Sequence, residues 1–128
     1  MSEGIYIIIA GGLGALGRYY MTGLAHRLLG GGFPYGTLAV NVLGSFLIGF
    51  VMQAGMSTDI FPRSLRLVIT IGFLGAFTTF SAFSYETLGY LEDGAWLMAG
   101  GNMLANVVLA ITAVFAGVLL GRTLLGGA

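Results

Sequence analysis

The sequence predicts an all-α membrane protein: a single domain over residues 1–128 with four transmembrane helices, the third broken in mid-membrane. Three observations lead there. Of 128 residues, 57% are hydrophobic and 8% are charged, which is more apolar surface than a soluble domain of this length can bury. The charges are also widely spaced. No ionised side chain stands between Arg27 and Asp59, between Arg66 and Glu86, or between Asp93 and Arg122. Finally, the run Gly72-Phe73-Leu74-Gly75-Ala76-Phe77-Thr78-Thr79-Phe80-Ser81-Ala82-Phe83-Ser84-Tyr85-Glu86 crowds glycines, hydroxyls and phenylalanines together. Lipid-facing Leu and Ile would be expected there. Polar groups at bilayer depth are costly and mark a pathway or a binding site.

Each apolar block supplies the ~20 residues that a spanning helix needs. The first is placed at residues 4–29. It has no positively charged start, Glu3 stands near its beginning, and apolar character runs on to Leu29. It therefore reads as a span rather than as a signal peptide. Gly11, Gly14, Ala15, Arg18, Thr22 and Ala25 recur in an i, i+3, i+4 pattern and share one face. The turn Gly30-Gly31-Gly32-Phe33-Pro34 ends this block.

The second helix is placed at 35–55. Thr37, Asn41, Ser45 and Gly49 follow one another at i+4 with Gly44 beside them. Small residues let membrane helices approach closely, and Asn or Ser join them by hydrogen bonds. The carboxamide of Asn41 has up to four hydrogen-bonding sites to satisfy, so it meets a partner helix or lines a wet cavity.

The third helix, at 63–90, follows Asp59 and Pro62. Gly72 and Gly75 weaken it. The hydroxyls of Thr78, Thr79, Ser81 and Ser84 compete for backbone groups. A break is expected at residues 75–79, which is tolerated at bilayer depth only where the freed backbone is buried or lines a cavity. Carbonyls exposed in such a break can ligate a hard cation such as Na⁺. Phe77, Phe80 and Phe83 recur at i+3 and are expected to climb one side of the segment. Aromatic edges are positive and can approach an anion without a full charge. Conduction needs such weak, releasing sites.

The turn Glu92-Asp93-Gly94 leads to the fourth helix, at 95–124. Asn102, Asn106, Ala110, Ala113, Gly117 and Gly121 form its small and polar face. Twenty-three glycines in so short a chain make helices with thin waists, which suit half of a homodimer better than a self-contained pore.

Several classes are excluded or disfavoured. There is no cysteine and the net charge is zero, so disulfides, thiol chemistry and iron–sulfur clusters are out and no basic patch points to nucleic acid. Ser81 and Ser84 have no histidine partner, no metal-ligand or phosphate-loop spacing occurs, and no room is left for a soluble catalytic domain, so an enzyme is not expected. A small drug or guanidinium exporter with four short helices is the alternative. It requires a membrane-embedded carboxylate, whereas Glu3, Asp59, Glu86, Glu92 and Asp93 lie at segment ends. A bis-histidine haem needs two ligands and the chain has only His26, which reads as an interfacial side chain. A structural or assembly protein would leave the buried Asn and Ser/Thr rows without a purpose. Orientation is weakly encoded. With the N-terminus inside, Arg63, Arg66 and Arg122 lie inside and Arg27 outside, a small lean under the positive-inside rule. A dual-topology homodimer and a singly oriented protein both stay open on these residues.

Three blocks carry a resemblance: Gly14-Ala15-Leu16-Gly17-Arg18-Tyr19, the stretch Gly36-Thr37-Leu38-Ala39-Val40-Asn41-Val42-Leu43-Gly44-Ser45-Phe46-Leu47-Ile48-Gly49, and the 72–86 run. Together they resemble the signature blocks of the Fluc (CrcB) fluoride channels, over essentially the whole chain. The resemblance implies an antiparallel, dual-topology homodimer with two pores in the bacterial inner membrane. It implies passive fluoride export that relieves fluoride toxicity, with no protein partner beyond the second copy. By resemblance, Asn41 is the pore-lining amide donor, Phe80 and Phe83 give their ring edges to the fluoride path, and Thr37 and Ser81 belong to a hydroxyl track. The carbonyls of Gly75 and Thr78 hold a central structural Na⁺ on the dimer axis. Arg18 stands near a vestibule and Glu86 closes the signature. The chain departs from the family pattern at Ala82, Asn106 and Ala110.

Overall fold

The computed structural model describes residues 2–126. Their chain order is α1 (Ser2–Leu29), α2 (Tyr35–Ser57), α3 (Arg63–Leu67), a π-helical stretch (Val68–Leu74), α4 (Gly75–Phe77), α5 (Phe80–Glu92) and α6 (Trp96–Leu125). No strand occurs among the described residues. Among the described residues, three segments are long and apolar enough to cross a membrane: Tyr35–Ser57, Arg63–Glu92 and Trp96–Leu125. They correspond to the second, third and fourth expected spans. The first expected span is also a helix, and at 1.5 Å per residue it has the length of a crossing. Arg18, Tyr19, Tyr20 and a run of glycines dilute its apolar character.

The helix ends follow from local chemistry. Gly30, with φ of 81°, stops α1 in the left-handed region, and its N–H bonds to the His26 carbonyl at 2.9 Å. A Cβ is disfavoured in that conformation, hence glycine. At the end of α2, Thr58 gives its N–H and its hydroxyl to the Ala54 carbonyl. Arg66 reaches back across the turn, and its Nη1 donates to the Gly55 carbonyl at 3.0 Å. Carbonyls at a helix C-terminus lack internal donors and carry negative partial charge, which a guanidinium complements.

Small residues decide the packing, as the stripes predict. On α6 the buried set is Ala99, Asn102, Asn106, Ala113, Gly117 and Gly121, which is the expected face with Ala99 added and Ala110 left out. It lies on α2 so closely that a Cβ on Gly117 would stand 2.1 Å from the Phe46 carbonyl oxygen, and one on Gly49 2.3 Å from the Val114 oxygen. Helix α1 approaches the π-helical stretch in the same way: a Cβ on Gly14 would stand 2.2 Å from the Phe73 oxygen. These approaches let helices that lack a hydrophobic driving force in lipid gain dispersion contacts.

The π-helical stretch has no counterpart in the sequence reading. Its widened turn is visible where the Gly75 N–H reaches the Thr70 carbonyl five residues back. Thr70 also turns its hydroxyl onto the Arg66 carbonyl at 2.7 Å, a back-bond that bends helices. π-Bulges are rare and gather at functional sites. This one ends at the break.

Candidate functional site

The break lies at Thr78 and Thr79, within the expected window. Both are extended, with φ/ψ of −86°/163° and −152°/118°. Its backbone is satisfied by a side chain from another helix. The Thr79 N–H donates to Asn41 Oδ1 at 2.8 Å, and Asn41 Nδ2 donates back to the Thr79 carbonyl at 3.1 Å. The carboxamide thus stands in for a strand partner and answers the requirement that a broken membrane helix find new partners. Thr79 then restarts the helix: its Oγ1 accepts from the Ala82 N–H at 3.1 Å, a hydroxyl N-cap.

These bonds leave consequences in the carbonyls before the break. The helical partner of the Gly75 carbonyl would be the Thr79 N–H, which is bonded to Asn41. The helical partner of the Thr78 carbonyl would be the Ala82 N–H, which is bonded to the Thr79 hydroxyl. Both carbonyls have therefore lost their normal donors. The Ala76 carbonyl is held instead by Arg18 Nε at 3.0 Å. Arg18 thus stands beside the break and ties α1 to it.

Beside the break opens a cleft of about 360 Å³ that Asn41, Gly75, Thr78, Thr79, Phe80 and Phe83 help to line, together with Asn106 of α6. Among the described residues, no ionisable one lines it. Phe80 is 77% exposed and Phe83 only 8%, with ring centroids 5.3 Å apart and planes tilted by 54°. The expectation of one continuous phenylalanine stripe does not hold. Phe77 is buried, 5% exposed, and stacks on Phe73 at 5.7 Å rather than lining the cleft. The i+3 argument requires an unbroken helix, and two extended residues between Phe77 and Phe80 destroy that register.

The remaining expected site residues fall outside this cleft. Thr37 is buried and donates its hydroxyl to Glu86 Oε2 at 2.6 Å, a short O–H···O bond. The other oxygen, Glu86 Oε1, is enclosed without a partner among the described residues. Glu86 borders a second cleft, of about 320 Å³, with His26, Tyr90 and Asp93. Ser81 is exposed, and its hydroxyl lies 3.4 Å from that of Thr79. The cleft therefore gathers Asn41, Phe80, Phe83, Gly75 and Thr78. It leaves Thr37, Arg18, Ser81 and Glu86 around it.

The roles of two residues at and near the site escaped the sequence reading. Thr79 is both clamped and cap. A hydroxyl residue at the head of a resumed helix is a legible N-cap signal, and here it was hidden inside the hydroxyl-rich run. Thr87 lies on α5, buried, where Asn102 Nδ2 donates to its Oγ1 at 3.0 Å. Nothing in its local sequence announces that contact. The place of Asn106, open from sequence, is plain: its Oδ1 accepts from Asn41 Nδ2 at 2.9 Å.

Three apolar helices of spanning length around a helix-broken cleft are the build of a multi-pass membrane protein. The chain belongs to the family described as CrcB-like protein, Camphor Resistance (CrcB), whose model matches residues 5–118. Among its relatives is the Fluoride-specific ion channel FluC of Geobacter sp. (strain M21), 49% identical over 124 residues, covering 97% of this chain and 100% of that protein. The protein of the same name from Citrifermentans bemidjiense is 48% identical over the same length, with the same coverage. That from Dehalococcoides mccartyi (strain BAV1) is 50% identical over 124 residues, 97% of this chain and 95% of its own. The relatives' names describe ion channels and no enzyme, in keeping with the chemistry absent from the sequence.

Proposed function

We propose that the chain is a fluoride-selective channel that lets fluoride leave the bacterial cytoplasm passively across the inner membrane and so relieves its toxicity. The observation that carries this reading is the cleft itself: a carboxamide, hydroxyls and two tilted phenylalanines converge on broken backbone with no charge among them. A small anion can be met there by positive ring edges and polar hydrogens. Without a fixed cation it can also leave, as conduction requires. The names of the relatives support the choice of fluoride. The exporter alternative gains nothing, since no carboxylate lines the cleft.

The working unit in this reading is an antiparallel, dual-topology homodimer with two pores, each subunit contributing four spans. Helix α1 is the first span: it packs along the third through Gly14 and leaves Ile5, Ile8, Ile9, Leu13 and Leu16 exposed. Open to lipid, the cleft would place broken backbone against hydrocarbon, which membrane proteins avoid. A second copy over the cleft removes that cost. The carbonyls of Gly75 and Thr78, deprived of their helical donors, fit a hard cation with oxygen ligands. These two residues from each subunit would hold a structural Na⁺, which would neutralise the crowded carbonyl dipoles at the dimer axis. Phe80 and Phe83 turn their ring edges to the anion in the pore that Asn41 lines, while Arg18 and the Asn41 clamp keep the break in place.

Purified protein in liposomes, with voltage clamped by a potassium ionophore, is expected to release fluoride and retain chloride. Equal leak of both halides sinks the selectivity, and dependence on a proton gradient moves the protein to the transporters. Exhaustive replacement of Na⁺ by a much larger cation is expected to slow the same efflux; unchanged flux removes the sodium. Topology has its own test. A cysteine added at the C-terminus of this cysteine-free chain is expected to react with impermeant maleimide from both faces of the cell membrane. Complete reaction from one face alone would rule out dual topology.

A further inference from the structure

The hydrogen bonds of the site do not end at Asn41. They form a directional relay through three helices that leaves the broken segment and returns to it. The Thr79 N–H donates to Asn41 Oδ1 and Asn41 Nδ2 to Asn106 Oδ1. Asn106 Nδ2 donates to Asn102 Oδ1 at 3.1 Å, and also to the Asn102 carbonyl at 2.9 Å. Asn102 Nδ2 donates to Thr87 Oγ1, and the Thr87 hydroxyl donates to the Phe83 carbonyl at 2.8 Å. Every link runs in one sense, an N–H or O–H forward and an oxygen behind. Bonds in such a chain polarise and strengthen one another. Asn102 is 0% exposed and Asn106 is 7% exposed, so water does not compete along this stretch.

We propose that Thr87, Asn102 and Asn106 are positioning residues that hold the Asn41 carboxamide in one orientation and hold Phe83 in register with the break. Thr87 and Asn102 lie outside the cleft lining; they act only through the residues they bond. The physical need is plain. A carboxamide presents hydrogens on one side and an oxygen on the other, nearly alike in shape. Unpinned, Asn41 can turn its oxygen toward the cleft, where the lone pairs repel an anion. The relay removes that freedom, because both hydrogens on Asn41 Nδ2 and its oxygen have partners. The far end is anchored on the backbone carbonyl of Phe83, so the ring that meets the ion and the amide that clamps the break beside it are set by one network. This inference rests on the fluoride-channel reading for its flux readout, and on hydrogen bonding alone for its spectroscopic one.

Thr87 offers the decisive pair of variants. Thr87→Val keeps the volume and loses the hydroxyl; Thr87→Ser keeps the hydroxyl and loses a methyl. In liposomes containing the full-length protein, Thr87→Val is expected to cut fluoride efflux roughly tenfold, the effect of a single lost bond of ~1.4 kcal/mol. Thr87→Ser is expected to conduct like the wild type. A packing role predicts the reverse order, and that result, or wild-type flux in both variants, overturns the proposal. A double-mutant cycle adds a second arm. On an Asn41→Leu background, Asn102→Leu is expected to cost nothing further, because the relay is already cut; multiplicative losses would show the two acting separately. If the wild type itself passes no fluoride, the channel reading fails and the relay is still judged. Side-chain amide exchange of Asn41, followed by NMR in micelles, is expected to quicken in Thr87→Val and not in Thr87→Ser. Equal exchange in both overturns the relay.

Discussion

Gly117→Ala is expected to lower the stability of the purified protein by about 3 kcal/mol, the upper end of what overpacking costs. One added methyl has this effect because its carbon would stand 2.1 Å from the Phe46 carbonyl oxygen and 2.9 Å from the Phe50 nitrogen. Both are backbone atoms, so no side-chain rotation relieves the contact. The spans α2 and α6 must move apart, and they carry Asn41 and Asn106. Loss of stability should therefore bring loss of flux even in the protein that remains folded. Gly101→Ala, on the same helix with nothing within 4 Å of its Cβ, is the control. It is expected to hold stability or raise it by up to ~1 kcal/mol through helix propensity. Thermal midpoints in detergent, compared between the two variants, decide the matter. Equal midpoints would mean that α2 and α6 do not approach as described.

Phe80→Ile is expected to cut fluoride flux at least about tenfold while leaving thermal stability of the protein nearly unchanged. At 77% exposure in the single chain, the ring gives little to the subunit's own core, and isoleucine keeps much of its apolar character. What it lacks is the positive aromatic edge; losing ~1.4 kcal/mol of ion stabilisation is a factor of ten. Phe83→Ile should cut flux similarly and also lower stability, because Phe83 is buried. Phe77→Ile is expected to behave in the opposite way to Phe80→Ile. It loses the stacking on Phe73, worth about 0.5–1.5 kcal/mol, and lowers the midpoint, yet flux per folded channel stays at the wild-type level. Flux and melting measured on the same three preparations separate ion contact from packing. Should Phe80→Ile conduct like the wild type, the aromatic-edge mechanism is wrong for this protein.

The contrast between Phe77 and Phe80 shows where sequence reasoning stops. Composition, charge gaps and turn residues place all four long segments, because each reflects a local or additive property: apolar length, a breaking glycine, an N-capping hydroxyl. The stripe on the fourth segment is equally legible, since its face must be small wherever another helix comes within contact, and Gly117 and Gly121 are both buried there. The window of the break follows from glycines and competing hydroxyls in one short run. The resemblance to a channel family, carried by the same residues, singles out Asn41, Phe80 and Phe83, and all three line the cleft.

What only the tertiary structure decided is how the broken backbone is satisfied. Local sequence says that helix three is weak between residues 75 and 79. It does not say that a carboxamide 38 residues earlier will pair with Thr79 on both sides, nor that Arg18 will take the Ala76 carbonyl. The π-helical stretch before the break and the Thr87–Asn102–Asn106 relay are of the same kind. Each polar group in an apolar surrounding must find a partner, so the sequence by itself determined that the Asn and Thr residues would be bonded and that helices would pack through glycine. Which group meets which depends on helix approach distances and on a register reset by two extended residues. Those are properties of the assembled bundle, and no local pattern encodes them.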